Sequence, residues 1–173
     1  STLSREELVL IVDIGGGTSD FSLIRLAPER HMQADRHADI LATGGVHIGG
    51  TDFDKQLSLH TVMPLFGYGG RMNSGAPMPT STHLHLATWH TINAVYAQKS
   101  QLALKSMRYD CQDTRGVDRL LKLIELRAGH WLAMQMEESK IALSSVEQHH
   151  LSLQRIEAEL DLTLTRRDLS IAI

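Results

Sequence analysis

Apolar positions open the chain in one run and then begin to alternate. Residues 8–14 read LVLIVDI, a run that predicts a strand buried on both faces. Four turn residues, Gly-Gly-Gly-Thr, separate this run from residues 19–26, where apolar and polar side chains alternate. The polar segment 28–35 predicts a second turn, and residues 37–43 predict a third strand. These segments together predict an antiparallel three-strand meander.

Helices are expected in much of the remaining chain. Asp52 is expected to cap a helix that Pro64 disturbs. Residues 67–80 are rich in glycine and proline and predict a loop, whereas residues 83–107 predict one or two helices.

The last third of the chain carries a clearer pattern. Residues 115–145 predict a helical stretch with a break near Gly129. Residues 151–164 alternate between apolar and polar side chains and predict another hairpin. Residues 165–173 predict the start of a helix with Asp168 in its first turn.

Composition narrows the possible partners. The 173 residues carry a formal net charge of -3 without a long basic run, so no nucleic acid partner is expected. Cys111 is the only cysteine, so an internal disulfide is impossible and a cytoplasmic location is expected. No apolar run is long enough to span a bilayer, so no membrane partner is expected. The N-terminus lacks a signal-peptide layout and a starting methionine, so we expect an excised piece of a longer protein.

Asp13 and the glycine turn after it form the first candidate site. Gly15, Gly16 and Gly17 can adopt positive φ angles and bring their N–H groups against a ligand. Successive N–H groups that face one concavity bind anions, and Thr18 adds a hydroxyl donor. Asp13 suits water-mediated Mg²⁺ binding or the orientation of an attacking water. The alternative is a plain tight hairpin that Asp13 caps.

The string DIGGGTSDFSLIRL, which begins at Asp13, resembles the second phosphate motif of the actin-like ATPases. That superfamily includes actin, sugar kinases, the bacterial protein MreB and the DnaK-type heat-shock chaperones. The resemblance implies that the chain binds ATP or ADP with Mg²⁺ through the glycine turn.

A second glycine-rich segment, GGVHIGGTDFD at residues 44–54, is similar to the GxxxLGGxDFD segment of DnaK-type proteins. This resemblance separates the DnaK branch from MreB-type filaments. It places Gly44 and Gly45 among the nucleotide-binding residues, although family members usually carry an acidic residue at position 45. Asp52 and Asp54 are expected to be structural, because a helix start favours carboxylates.

The third candidate site lies on the predicted helix near residue 140. Glu137, Lys140 and Ser144 fall on one helical stripe and offer an acceptor, a cation and a hydroxyl side by side. On spacing alone a solvated surface pair is favoured. The string MEESKIALSS, however, resembles the ExxKxxLSS helix of DnaK-type proteins, which implies that these three residues contact the adenosine. A neighbouring apolar stripe, expected to dock on the core, consists of Leu132, Met136 and Leu143.

The resemblance also implies a fold and a division of the chain. The fold is an α/β actin-like ATPase (ribonuclease H-like) fragment, with a three-strand meander and a mixed α+β outer subdomain. Residues 1–48 are expected to form part of the nucleotide-proximal subdomain of the second lobe, and residues 49–173 the outer subdomain. An insertion at roughly 68–130, with the string EESKIALSSV, resembles the divergent YegD-type subgroup of DnaK-like proteins.

The implied function is that of a chaperone ATPase domain. Client polypeptides or a co-chaperone are the implied partners, and the parent protein is expected to hydrolyse ATP. The first phosphate loop, the catalytic lysine and the final glycine-rich adenosine motif do not occur in the 173 residues, so this chain alone is expected to be inactive. Three alternatives stay open: a small-molecule kinase, a polymerising cytoskeletal protein and a non-hydrolysing nucleotide sensor.

Three histidines in the insertion suggest a further metal site only weakly. The spacing of His83, His85 and His90 matches no standard zinc site. No acidic residue or thiol lies beside them in the sequence, so a packing role is favoured.

Overall fold

A computed structural model describes residues 4–30, 32 and 34–173, which divide into two units. The first unit ends at Asp52, and the second runs from Phe53 to Ile173. The combination of an antiparallel sheet with helices is the fold class predicted from the sequence. The strands are β1 (Glu7–Ile14), β2 (Ser19–Leu26), β3 (Ile40–Val46), β4 (Gln148–Ser152) and β5 (Asp161–Thr165). The helices are α1 (Gly50–Thr61), α2 (Ser81–Ala87), α3 (Gln98–Arg108), α4 (Thr114–Glu125), α5 (Gly129–Leu143) and α6 (Arg166–Ala172).

The first unit is built on one antiparallel sheet in the order β1-β2-β3, so the predicted meander is confirmed. The hairpin of β1 and β2 closes with Ile14 opposite Ser19, directly across the glycine turn. The third strand begins later than predicted, because residues His37–Asp39 form a 3-10 turn before it. The predicted turn at 28–35 starts with a 3-10 turn, Pro28–Arg30, and its positions 31 and 33 lie outside the described residues.

The prediction that β1 is buried on both faces is wrong. Leu10 points to one face of the sheet and Ile11 to the other, and they are 60% and 47% exposed. An apolar run of this kind is typical of a strand with a layer on each side. Among the described residues of the first unit, no second layer covers the sheet, and Ala27 is the only buried hydrophobic residue.

A buried carboxylate, rather than an apolar core, stabilises the segment before β3. The side chain of Asp39 is only 2% exposed and lies between two arginines. Arg30 Nε lies 2.6 Å from Asp39 Oδ1, and Arg36 Nε donates a 2.9 Å hydrogen bond to Asp39 Oδ2. A buried carboxylate is tolerated only with such partners, so this cluster fixes the loop around one charged group.

The second unit has a continuous apolar core. Helix α1 ends at Thr61, and Pro64 opens a 3-10 helix, Met63–Phe66, so the predicted disturbance is confirmed. The largest fully buried side chains are Leu57, Met63, Phe66, Leu86, Ile92, Leu104, Leu120, Leu123, Leu132, Met136, Leu143 and Leu151. Leu132, Met136 and Leu143 are the apolar stripe predicted on α5, and their burial confirms that it docks on the core.

The insertion expected at roughly 68–130 contributes directly to this core. The predicted helical region 83–107 contains α2, a 3-10 helix at Trp89–Tyr96 and α3. The 3-10 helix interrupts the α-helical pattern of this region, because its side chains repeat every three residues rather than every 3.6. The predicted loop 67–80 contains no helix, and its Met72 forms an isolated bridge with Cys111.

The predicted break near Gly129 and the predicted second hairpin are both present. Helix α5 begins at Gly129, where an added Cβ would lie 2.6 Å from Ile92 Cγ2 and 2.8 Å from the Tyr96 hydroxyl. The position therefore has no room for a side chain. Strands β4 and β5 pair in antiparallel register, and α6 follows with a capping box between Thr165 and Asp168. None of the described helices is long and apolar enough to cross a membrane.

Candidate functional site

The glycine turn of the first unit is held by backbone hydrogen bonds from the start of α1. Gly50 N donates to Gly15 O at 3.0 Å, and Thr51 N donates to Gly16 O at 2.8 Å. The Thr51 hydroxyl donates to the same Gly16 oxygen at 2.7 Å. These bonds use the carbonyl oxygens of the turn. In the described part of the chain, no hydrogen bond uses the N–H groups of Gly16 and Gly17.

Close approach requires a glycine at position 49, whereas the three glycines of the turn have neither positive φ angles nor a close contact at their Cβ positions. An added Cβ on Gly49 would lie 2.5 Å from both Gly16 C and Gly17 N, so two backbones touch there. The expected positive φ angles at Gly15, Gly16 and Gly17 are wrong, because the described glycines with positive φ are Gly67, Gly69 and Gly75. The turn therefore offers exposed N–H donors without the alternating right- and left-handed backbone of an anion nest.

Acidic side chains flank the turn on both strands. Asp13 at the end of β1 is exposed and pairs in register with Asp20 on β2. The Thr18 hydroxyl donates to Asp20 Oδ2 at 3.2 Å, so the predicted phosphate donor also has a carboxylate partner. Gly45 pairs with Asp20 from β3, and a Cβ on Gly45 would lie 2.5 Å from Asp20 Oδ1. The Asp20 carboxylate thus fills the space that a side chain at position 45 would need.

Asp52 stabilises the start of α1 from inside the helix. Its carboxylate accepts a 2.9 Å hydrogen bond from Gly49 N, and its own N–H donates to Gly49 O. The residue at the cap is therefore Gly49, and Asp52 takes the third helical position of a half capping box. The expected structural role of Asp52 agrees with this contact, and the expected cap position is wrong.

The candidate residues of the second unit lie at the end of α5. Glu137 is exposed, and Lys140 is 20% exposed. Ser144 follows the last residue of α5 as its C-cap, and its hydroxyl donates to Ile141 O at 2.6 Å. Glu137 and Lys140 share the helix, whereas Ser144 is at its end with a hydroxyl already engaged by the backbone.

Lys140 has a partner that the sequence did not indicate. Its Nζ lies 2.7 Å from Oδ1 of Asp54 on α1, and the Asp54 side chain is 16% exposed. Burial raises the pKa of Asp54 above its ordinary value, the hydrogen bond and charge of Lys140 lower it, and the charge of Glu137 raises it. The spacing of a pair so distant along the chain carries no signal in one sequence, so Asp54 was predicted only as a helix-start residue.

The histidines of the insertion do not gather around a metal. His83 is fully buried, and its Nε2 lies 3.0 Å from Phe66 O. His85 and His90 are exposed. Across residues 4–30, 32 and 34–173, no group of three or more His, Cys, Asp or Glu side chains could hold a metal ion.

Residues 2–66 match the Hsp70 family model. The matched family is described as Hsp70 protein, and the match covers the glycine turn, the segment 44–54 and the 3-10 helix at Met63–Phe66. The match covers 65 of the 173 residues and shows that this segment is similar to part of an Hsp70 protein. The part of the chain that carries α5, with Glu137 and Lys140, lies outside the matched residues.

The donor set of the Hsp70-matching segment fits a phosphate with an associated cation. The unpaired N–H groups of Gly16 and Gly17 are the type of donor that a phosphate oxygen accepts. Asp13 and Asp20 place two carboxylates beside those donors, and hard oxygen ligands of this type suit Mg²⁺ through its waters.

Proposed function

We propose that the chain is part of the ATP-binding domain of an Hsp70-type chaperone and supplies a phosphate loop and an adenosine-contacting helix. The Hsp70 match over residues 2–66 carries this proposal. Among the described residues the N–H groups of Gly16 and Gly17 have no hydrogen-bond partner, which leaves two donors for a phosphate and supports the proposal. The finer assignment to YegD-type chaperones is part of the proposal and rests on the insertion and the EESKIALSSV string.

Each candidate residue takes one role in this proposal. Gly16 and Gly17 donate to phosphate oxygens through their N–H groups and Thr18 through its hydroxyl, with Gly15, Gly44 and Gly45 lining the same turn. Asp13 holds the waters of a magnesium ion or orients the attacking water. Mg²⁺, when bound, neutralises charge that develops on the phosphates. On α5, Glu137, Lys140 and Ser144 contact the adenosine.

The reaction of the whole protein is proposed to be ATP hydrolysis by in-line attack of water on the γ-phosphate. Positioning and electrostatic stabilisation supply most of the catalysis in such reactions. The 173 residues contain one phosphate loop and no catalytic lysine motif, so we propose that this chain alone is inactive. The division into a nucleotide-proximal part at 1–48 and an outer part at 49–173 belongs to the same proposal.

Calorimetric titration of the natural full-length protein with Mg-ADP and Mg-ATP tests the proposal. We expect binding by the full-length protein, weak or no binding by residues 1–173 alone, and weaker binding by the full-length Thr18→Ala and Lys140→Ala variants. Glu138→Gln on α5 is the control, because Glu138 is exposed and bonds only with Gln135 among the described residues. A full-length protein that ignores both nucleotides would refute the proposal.

A further inference from the structure

The ion pair of Asp54 and Lys140 lies on the packed faces of two helices. Asp54 shares its face of α1 with Leu57 and Ser58, which are both buried. Lys140 follows buried Met136 by one turn of α5. Their charged atoms are 2.7 Å apart, and both side chains are at most 20% exposed. The pair is therefore a partly buried contact rather than a solvated surface pair.

The electrostatics of this pair include a desolvation cost. Burial raises the pKa of Asp54 even though the Lys140 ammonium stands beside it, so the fold disfavours the carboxylate more than Lys140 favours it. The charge of Glu137 raises the pKa of Asp54 further. Partly buried ion pairs often contribute no more stability than apolar side chains of similar size. The clear geometric effect of the pair is the fixed position of the Lys140 ammonium.

The contact with Asp54 restricts the positions that the Lys140 ammonium can take. A lysine side chain has four rotatable bonds, and a solvated ammonium samples many positions. A 2.7 Å contact with a half-buried carboxylate confines the Lys140 ammonium to one place beside α1. Asp54 itself points at Lys140 and lies in the Hsp70-matching segment, whereas Lys140 lies outside it.

We infer that Asp54 is a positioning residue that fixes the Lys140 ammonium for contact with the adenosine part of a nucleotide. The inference rests on the proposed adenosine role of α5. Asp54 acts through Lys140 and does not touch the nucleotide. Its loss therefore weakens binding of the nucleoside and leaves binding of the phosphates unchanged.

A double-mutant cycle on the natural full-length protein tests this inference. The variants are Asp54→Asn, Lys140→Gln and the two combined, with Glu138→Gln as the control. Dissociation constants are measured for ADP and for pyrophosphate, which lacks the nucleoside, and thermal unfolding is followed on the same samples. Asp54→Glu restores the carboxylate on a longer stem and is the conservative variant.

We expect Asp54→Asn to weaken ADP binding about tenfold, the size of one lost charge-assisted contact. Pyrophosphate binding should stay at the wild-type value, because that ligand lacks the nucleoside. The melting temperature should fall, because the partly buried Lys140 ammonium loses its carboxylate partner. In the Lys140→Gln background, Asp54→Asn should have no further effect on ADP binding. Partial recovery of ADP binding by Asp54→Glu would support the same reading.

Other outcomes overturn the inference. Unchanged ADP binding in Asp54→Asn, or effects of Asp54→Asn and Lys140→Gln that add, would show that Asp54 does not act through Lys140. A lowered melting temperature with equal losses for ADP and pyrophosphate would assign Asp54 a structural role. If Lys140→Gln itself leaves ADP binding unchanged, the adenosine role of α5 fails, and this positioning role fails with it.

Discussion

The two units of the chain differ in where their apolar side chains lie. In the first unit, both faces of the sheet are exposed, as Leu10 and Ile11 of β1 illustrate. In the second unit, side chains such as Leu120 and Met136 are completely or almost completely buried. The first unit is held by strand pairing, by glycine backbones in contact and by the Asp39 cluster, whereas the second is held by apolar burial. Since apolar burial is the largest stabilising term in most domains, the two units should respond differently to the same substitution.

The largest expected difference comes from the same truncation in each unit. Leu120→Ala should destabilise the second unit by about 2–5 kcal/mol, because Leu120 is fully buried in the core. Leu10→Ala should change the stability of the first unit by less than about 0.5 kcal/mol, because Leu10 is 60% exposed. Urea unfolding of both variants, with amide exchange to assign the losses to each unit, measures this difference. Equal losses would mean that the sheet of the first unit is covered in solution.

A smaller effect should appear in the second unit when the pH falls. Burial lowers the pKa of His83 below its ordinary value of 6.5, and the Phe66 carbonyl offsets this only partly. A histidine with a lowered folded pKa stabilises the fold fully above pH 6.5, and that contribution disappears as the pH falls toward the folded pKa. The melting temperature should therefore drop between pH 7 and pH 5.

Two glutamine variants separate His83 from the other histidines. His83→Gln keeps a donor for the Phe66 carbonyl and should have a flatter pH dependence. His85→Gln removes an exposed histidine of the same helix, α2, and should keep the wild-type slope. Equal slopes in wild type and His83→Gln would contradict a buried, neutral His83.

The smallest effect concerns a charge cluster on the surface of the second unit. Arg119 and Arg115 donate hydrogen bonds to Glu157 and lower its pKa from 4.5 to about 2. With its folded pKa lowered, Glu157 stabilises the fold above pH 4.5, and this contribution is lost as the pH falls from 4.5 to about 2. Arg115 is largely exposed, and Glu157 and Arg119 are partly exposed, so salt should screen part of the effect.

Acid unfolding followed by circular dichroism tests the cluster. Glu157→Gln should lose stability less steeply than wild type between pH 4.5 and 2, and the difference should shrink in about 1 M salt, which screens the exposed charges. Glu159→Gln is the matched control, because Glu159 is exposed and forms no ion pair among the described residues. A Glu157→Gln variant with the wild-type acid slope would show that Glu157 does not contribute to the loss of stability at low pH.

Local chemistry made much of the fold predictable from the sequence. The glycine turn and the break at Gly129 follow from glycine, which interrupts strands and helices, and the three strands follow from short apolar runs between turn residues. The sequence predicted Asp168 in the first turn of α6, where it forms the capping box with Thr165. The 3-10 helix at Trp89–Tyr96 was not predictable, because its period matches neither a strand nor an α-helix.

The candidate site was predictable only in part, for a different reason. The string around Asp13 identified the turn, but its backbone angles depend on what packs against it, and Gly49 does so from the next segment. Likewise, Lys140 was identified from its neighbours on α5, whereas its partner Asp54 lies on α1. Both features arise from tertiary contacts, which leave no trace in local spacing.

The hydrogen bonds between the glycine turn and α1 couple a helix to a loop. Gly50 and Thr51 donate to the carbonyl oxygens of Gly15 and Gly16, so direct backbone hydrogen bonds join the first turn of α1 to the glycine turn. The backbone of Gly49 also lies directly against the backbone of Gly16 and Gly17, with no room for a side chain between them. A small rotation at the start of α1 would therefore move the glycine turn with it and change the direction of the Gly16 and Gly17 N–H groups.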